Sequence, residues 1–495
     1  MTGEAQTIAL SLVSHTNVGK TTLARTMLRR DIGEVRDEAH VTLAAERSML
    51  IESPAGDRLE LWDTPGFGDS ERLAARLARA KNPIGWFLNE IWDRWRDRAL
   101  WSSQAALRNV LDEADVVLYL VNASEAPHDE AYVEAELKVL DLLARPAIVL
   151  LNQIGAPLPR DAEAAEVERW RAHCAGHACV RGVLALDAFT RCWVQEGALL
   201  GAIAAALPPE RQRAFARLAD AWREEHAAVW RASVDVLASR LARAALDREA
   251  VRADGWVAKL QQVGAAIGLR REGALTPREQ AMQTLAERLD ADIRATTDRL
   301  IRLHGLDGSA TDAVLLRLAE HFAVREPLSE GKAAVLGGIV TGALAGLKAD
   351  ILSGGLTLGG GLLAGGVIGA LGGAGIARGF NVVRGVDRTT LAWTDDVLSD
   401  LAGAALLGYL AVAHFGRGRG DWVASEQPAF WSAHVSAVMA SQLPALQAIW
   451  ARRASAATDD GTLQAALRDW LAAASGELLV RLYPDAGRML QPAAT

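Results

Sequence analysis

A chain of 495 residues, half of them apolar and 23% charged, is too long for one ordinary domain and too rich in core-forming side chains to be disordered. Its 53 basic and 61 acidic residues leave a net charge of −8, which excludes the strongly basic balance of a general nucleic-acid binder, and no nucleic-acid partner is indicated. Three cysteines, Cys174, Cys179 and Cys192, do not make a disulfide scaffold and point to a reducing cytoplasm. The opening run MTGEAQTIALSLV lacks the basic region of a secretory signal, so none is expected.

In chain order, short apolar runs bounded by turn or charge signals predict strands over 7–13, 46–52, 58–62, 116–121, 146–151 and 180–186. Amphipathic periodicity predicts helices over 20–30, 70–112, 129–144 and 162–173. This alternation defines an α/β unit over residues 1–206, with a mostly parallel six-stranded sheet covered on both faces.

Between the first strand and the first helix lies SHTNVGKTT, residues 14–22. Strand, loop and helix are the context that a phosphate loop of pattern G-x-x-x-x-G-K-[ST] requires, although Ser14 replaces the first glycine. Gly19 lets the backbone approach phosphate, and the amides from Asn17 and Val18 through Thr22 surround the positive end of the helix. Lys20 is placed to reach the β- and γ-phosphates, and the Thr21 hydroxyl to bind Mg²⁺. A second motif, WDTPGFGD at 62–69, follows the third strand. There Asp63 is expected to hold Mg²⁺ through water and the Gly66 amide to meet the γ-phosphate. Thr42, between the first helix and the second strand, is expected to complete the Mg²⁺ shell.

The two motifs together resemble those of bacterial GTPases of the Era and TrmE type, within the translation-factor-related class of P-loop proteins. Asn17, Gly19, Lys20 and Thr21 match N-x-G-K-[ST], and Asp63 to Gly66 match D-T-P-G. The resemblance covers about residues 5–206, and the whole layout is similar to Era-like GTPases that carry a long C-terminal domain. It implies hydrolysis of GTP to GDP with Asn17, Lys20, Thr42 and Gly66 at the reacting centre. Phe67 stands where many GTPases place a glutamine that orients water, and Thr16 crowds the space of an inserted arginine. Hydrolysis is therefore expected to be slow. The resemblance implies that Asn17 helps bind K⁺, which would supply the charge an arginine gives, and that the GTPase domains pair in a homodimer.

Guanine readers carry N-K-x-D after the fifth strand, where this chain has Asn152, Gln153, Ile154 and Gly155. Without the aspartate, discrimination should weaken by roughly a hundredfold, since hydrogen bonds to a charged group contribute about 1.5–3 kcal/mol each. Asp187, after Leu184-Ala185-Leu186, is one compensating candidate. The Trp- and Arg-rich segment 84–101 is either a protein contact or an extra helix packed on its own domain. HCAGHAC, 173–179, crowds four metal-ligand types into seven residues and reads mainly as loop and core.

Residues 207–495 read as a second, α-helical domain, with helices over 210–245, 248–268, 277–305, 311–324, 386–414, 428–456 and 461–482. Its distinctive stretch is 331–379, where small residues recur every fourth position as in a glycine zipper: Ala334, Gly338, Gly342 and Gly346, then Ser353, Thr357, Gly361, Gly365, Gly369 and Gly373. A tight helical hairpin follows. It is either buried in the helical domain or in contact with the inner membrane, since 351–377 carries no charge over a length that can cross a bilayer. The leading reading is a GTP-binding switch for this helical domain. A triphosphatase of relaxed base choice and a non-enzymatic membrane or scaffold protein holding a structural nucleotide are the alternatives.

Overall fold

The fold is described from a computed structural model of the chain. It describes residues 4–28, 45–77, 85, 98–124, 126–127, 131–153, 160–186, 192–251, 277–306, 380–384, 389–414, 430–453, 460–483 and 486–490. The chain divides into two compact units. Unit 1 comprises 1–230, 413–430 and 479–495, and unit 2 comprises 231–412 and 431–478.

Unit 1 is built on a six-stranded sheet of β1 (Thr7–Ser14), β2 (Glu46–Glu52), β3 (Arg58–Asp63), β4 (Val116–Asn122), β5 (Ala147–Asn152) and β6 (Val180–Ala185). Their order is β2-β3-β1-β4-β5-β6, and only β2 runs antiparallel, to β3. The composition explains the order. In the central strands VVLYLVN and AIVLLN nearly every residue is buried, as a strand covered on both faces requires. ERSMLIE of β2, rich in charge, takes the edge, with Met49 exposed. Helices α1 (Lys20–Leu28), α2 (Ser70–Leu77), α3 (Arg98–Asp112), α4 (Ala131–Leu143) and α5 (Arg160–Cys174) connect the strands. One face of the sheet packs Val117, Tyr119, Val149 and Leu151 against Leu73, Leu107, Val133, Leu140 and Trp170.

A further helix, α6 (Glu196–Ala206), has no counterpart among the predicted elements. After it α7 (Pro209–Leu246) runs for 38 residues. The first part of α7 is tied to the sheet. Arg211 donates to the Thr7 carbonyl and pairs with Asp115, and Arg217 grips Asp57, in the β2–β3 turn, with two hydrogen bonds of 2.6 and 2.7 Å. Unit 1 is completed from the far end of the sequence. In α12 (Ala486–Leu490), Met489 packs on Gly197 of α6, so closely that an added Cβ there would lie 2.6 Å from Met489 Cγ. The Tyr483 hydroxyl lies 2.6 Å from His414 Nε2.

Unit 2 contains the rest of α7 with α8 (Pro277–Leu303), most of α9 (Asp395–Ala413), and α10 (Phe430–Arg452) and α11 (Asp460–Leu482) through Leu478, packed around Leu241, Leu285, Leu398, Leu406 and Trp450. It also contains a three-stranded antiparallel sheet of β7 (Arg248–Ala250), β8 (Phe380–Arg384) and β9 (Thr389–Trp393), ordered β7-β9-β8. The region is mainly helical, as expected, but two of the predicted helices are corrected. The helix expected over 248–268 begins instead with a strand. That expected over 386–414 is strand TTLAW followed by a helix whose start is set by Thr394, whose hydroxyl accepts from the Val397 amide at 3.3 Å. The glycine-rich stretch 331–379 and the helix expected over 311–324 lie outside the described residues.

Candidate nucleotide-binding site

The site is assembled at the carboxyl ends of β1 and β3, with the end of β5 beside it. β1 runs to Ser14, and the chain then turns through Asn17 (φ 66°) and Gly19 (φ 93°) to enter α1 at Lys20. Asparagine tolerates the left-handed conformation, and Gly19 meets a second demand: an added Cβ would stand 2.8 Å from Asn152 Nδ2. Asn152 Nδ2 donates to the Val18 carbonyl at 2.6 Å and Gln153 Nε2 to the Asn17 carbonyl at 3.4 Å, so the end of β5 braces the loop. The Asn17 side chain itself is exposed. Thr22 is buried in the first turn of α1.

Lys20 is buried, and its ammonium donates to Ser14 Oγ at 3.0 Å. Ser14 is thus more than a tolerated replacement for glycine: its hydroxyl is the lysine's partner, a role the loop pattern does not encode. Burial pushes the Lys20 pKa down, opposed by the carboxylates of Asp63 and then Glu136. Burial pushes Asp63 up, opposed by Lys20 and by the Thr21 hydroxyl. Thr21 Oγ1 donates to Asp63 Oδ2 at 2.6 Å, while Asp63 Oδ1 is buried without a hydrogen-bond partner among the described residues. A buried carboxylate oxygen with a free lone pair beside a hydroxyl is the oxygen-donor set that suits Mg²⁺.

The DTPGF segment closes over this loop. Thr64 Oγ1 donates to the Leu12 carbonyl at 2.5 Å. The Phe67 amide donates to the Ser14 carbonyl at 2.9 Å, and the Thr16 amide to the Phe67 carbonyl at 3.2 Å. These bonds bring the Gly66 backbone against Thr16 and Lys20, where an added Cβ would lie 3.0 and 3.1 Å from them. The Phe67 ring is fully buried in the hydrophobic core of this half of the sheet.

Beneath the loop a fully buried carboxylate, Glu136 of α4, gathers three partners. The Ser70 hydroxyl lies 2.5 Å from Oε1, the Tyr119 hydroxyl 2.9 Å from Oε2, and His15 Nδ1 2.8 Å from Oε1. The His15 ring stacks on Tyr132 at 4.2 Å. None of these residues stands out in a motif scan. The available signal was an acid at position 136 on the helix face shared by Val133, Leu137 and Leu140, where an apolar residue belongs.

Thr42, Gly155 and Asp187 lie outside the described residues, as do Trp86, Trp92 and Trp95 of the segment 84–101. In HCAGHAC, His177 is engaged by Asp141 at 2.7 Å and Glu134 at 3.3 Å, and no group of three candidate metal ligands occurs among the described residues. Burial pushes the Cys174 thiol up to about 11 and Cys179 up to about 12, as befits core thiols. In unit 2 a cleft of about 710 Å³ is lined by Arg243, Asp247, Arg288 and Asp292. Arg243 pairs with Asp292, and Arg288 with Asp247 and Glu249.

Sheet order, the loop that leaves β1 and the aspartate that ends β3 define a domain of the P-loop GTPase fold. A family model described as a 50S ribosome-binding GTPase matches residues 9–153, and one described as a domain of unknown function, DUF3482, matches residues 179–482. The second match covers more than half of the chain, and the protein belongs to the DUF3482 family.

Among solved structures, Era in complex with MgGDPNP and a segment of 16S ribosomal RNA is similar over 41% of this chain and 58% of that one (19% identity, TM-score 0.29). Aquifex aeolicus Era bound to GDP·AlF4⁻ is similar over 46% and 67% (19% identity, TM-score 0.28). A member of an oligomerised bacterial dynamin pair is similar over 99% and 70% (10% identity, TM-score 0.25). The chain thus spans a little over half the length of the first of these proteins. No curated protein matches it.

Proposed function

We propose that the protein is a GTP-operated switch in which the GTPase domain, residues 1–206, governs the helical region 207–495. The observation that carries the reading is the cluster of Lys20, Thr21 and Asp63, with the Thr21 hydroxyl on one Asp63 oxygen and the other oxygen unpartnered. Thr21 and Asp63, with Thr42, would hold Mg²⁺, which supplies positive charge at the β- and γ-phosphates. Asn17, Val18, Gly19 and Thr22 form the rest of the phosphate cradle. The Gly66 backbone beside Lys20 is suited to register the γ-phosphate, and its rearrangement on hydrolysis is the switching event.

The finer parts of the reading follow from the motifs. An Era- or TrmE-like mechanism fits Asn17 in the loop, with K⁺ stimulation and pairing of two GTPase domains. The buried Phe67, which can orient no water, supports slow turnover. Asn152 and Gln153 are placed to border the base, and guanine preference without an aspartate at 155 rests mainly on the resemblance to Era- and TrmE-type GTPases. Segment 84–101 reads as either a partner surface or a helix packed on its own domain, and 331–379 as either a hairpin buried in the helical domain or a membrane contact of an otherwise cytoplasmic protein.

The test is nucleotide binding and turnover with GTP and ATP, in K⁺ and in Na⁺, with Lys20→Ala as control. GTP turnover that exceeds ATP turnover, rises in K⁺ and is lost in Lys20→Ala is expected. Equal rates in the two salts would remove the role of Asn17. Equal use of GTP and ATP would favour the triphosphatase, a reading that Gly155 keeps in view.

A further inference from the structure

The carboxylate of Glu136 touches no motif residue that binds nucleotide, yet it lies where the two nucleotide motifs meet. Its Oε1 is shared by His15, the residue after Ser14 in the phosphate loop, and by Ser70, the first residue of α2 and two residues beyond Gly68 of the DTPGFG run. Its Oε2 is held by Tyr119 of β4, a strand of the rigid sheet. The Ser70 and Tyr119 hydroxyls donate to the carboxylate oxygens, and His15 Nδ1 lies 2.8 Å from Oε1. Full burial makes each of these hydrogen bonds costly to leave unmade.

The same two segments are also joined by backbone. Phe67 and His15 form a bridge in which the Phe67 amide donates to Ser14 and the Thr16 amide to Phe67. That bridge holds Gly66 over Lys20. A backbone bridge of two hydrogen bonds is weak alone, and Glu136 ties down the chain on both sides of it, at His15 and at Ser70.

We propose that Glu136 is a positioning residue for GTP hydrolysis, clamping the start of α2 to the phosphate loop so that the Gly66 backbone is held beside Lys20. The proposal rests on the GTPase reading above and adds to it a residue that no motif contains. Three consequences separate it from mere core packing. The clamp acts between Ser70 and Glu136 as a unit, so their effects should not multiply. It orders chiefly the segment that meets the γ-phosphate, so GDP affinity should fall far less than turnover does. It acts on geometry at the reacting centre, so kcat should fall while KM holds.

The experiment compares the full-length wild-type protein with Glu136→Gln, Ser70→Ala and the double variant. Steady-state GTP turnover, GDP affinity and thermal midpoint are measured for each. The expected result is a fall in kcat of about tenfold in each single variant, no further fall in the double, and KM and GDP affinity within about twofold of wild type. Multiplying kcat effects, unchanged kcat with a lowered midpoint, or equal losses of GDP affinity and turnover would each overturn the clamp. If Glu136→Gln does not fold, unchanged kcat in Ser70→Ala alone overturns it. Wild-type protein that binds no GTP fails at a different step, and removes the GTPase reading and the clamp together.

Discussion

At Gly68 the chain has no room for a methyl group. An added Cβ would stand 2.5 Å from Ala99 Cα and 2.7 Å from the Ala99 carbonyl, and this is backbone of α3, which cannot turn aside. The Gly68 amide also donates to Ser103 Oγ at 3.1 Å, which fixes the approach. Gly66 differs: its nearest neighbours stand at 3.0 Å or more and include the Lys20 ammonium. Gly68→Ala is therefore expected to cost roughly 1–3 kcal/mol of stability in chemical denaturation. Gly66→Ala, which must push back Thr16 and Lys20 by only a few tenths of an ångström, is expected to cost less stability than Gly68→Ala while depressing GTP turnover more per unit of stability lost. The reverse ranking would mean that Gly66 is a packing residue and not a sensor. Two glycines of one short motif thus have separate reasons to be glycine, which their spacing does not distinguish.

Between elements, a two-pronged ion pair in unit 1 joins Arg217 of α7 to Asp57 of the β2–β3 turn. Asp57 is buried and accepts as well from the Gln6 amide and the Ser53 hydroxyl. The Arg217 guanidinium, in the first place, holds the Asp57 pKa down to about 2 from an ordinary 3.8. A depressed carboxylate stabilises the fold above its unfolded pKa, and the contribution disappears as pH falls through the folded value. Asp57→Asn should therefore cost roughly 1.5–3 kcal/mol at pH 7. The gap from wild type should narrow below about pH 4 and close near pH 2. Denaturation at a series of pH values checks this, and a gap independent of pH would show that the ion pair contributes nothing. Local patterns made the six strands of the first sheet legible, because short branched apolar runs such as AIVLLN, bounded by turn or charge signals, suit strands too short to be helices. They did not reveal β9, since TTLAW runs directly into an apolar helix and the strand exists only through its pairing with β7 and β8. The candidate site was half legible for the same reason. Lys20, Thr21 and Asp63 belong to contiguous motifs, whereas Ser14 as the partner of Lys20, and Glu136 as the partner of His15 and Ser70, depend on contacts across the fold.

For the molecule as a whole, the site predicts a coupling between ligand and fold. Anything that binds the native state alone stabilises it, by about 2.7 kcal/mol at a hundredfold excess over Kd. GTP with Mg²⁺ should raise the stability of wild-type protein by that amount and leave Lys20→Ala unmoved. Equal stabilisation of both would place the nucleotide elsewhere. The make-up of unit 1 has a consequence of another kind. Its sheet comes from the first 185 residues, but Met489, which covers Gly197, comes almost last, with unit 2 encoded in between. During synthesis the strands can pair long before Met489 is made, yet Gly197 of α6 stays uncovered until residues 207–489 have been translated. A chain halted by a premature stop in the second half of its gene would carry every nucleotide motif and still lack that closing piece. Such fragments should be degraded faster than chains that include Met489, so one methionine ties the survival of the nucleotide-binding sheet to translation of the helices that lie between them in the sequence.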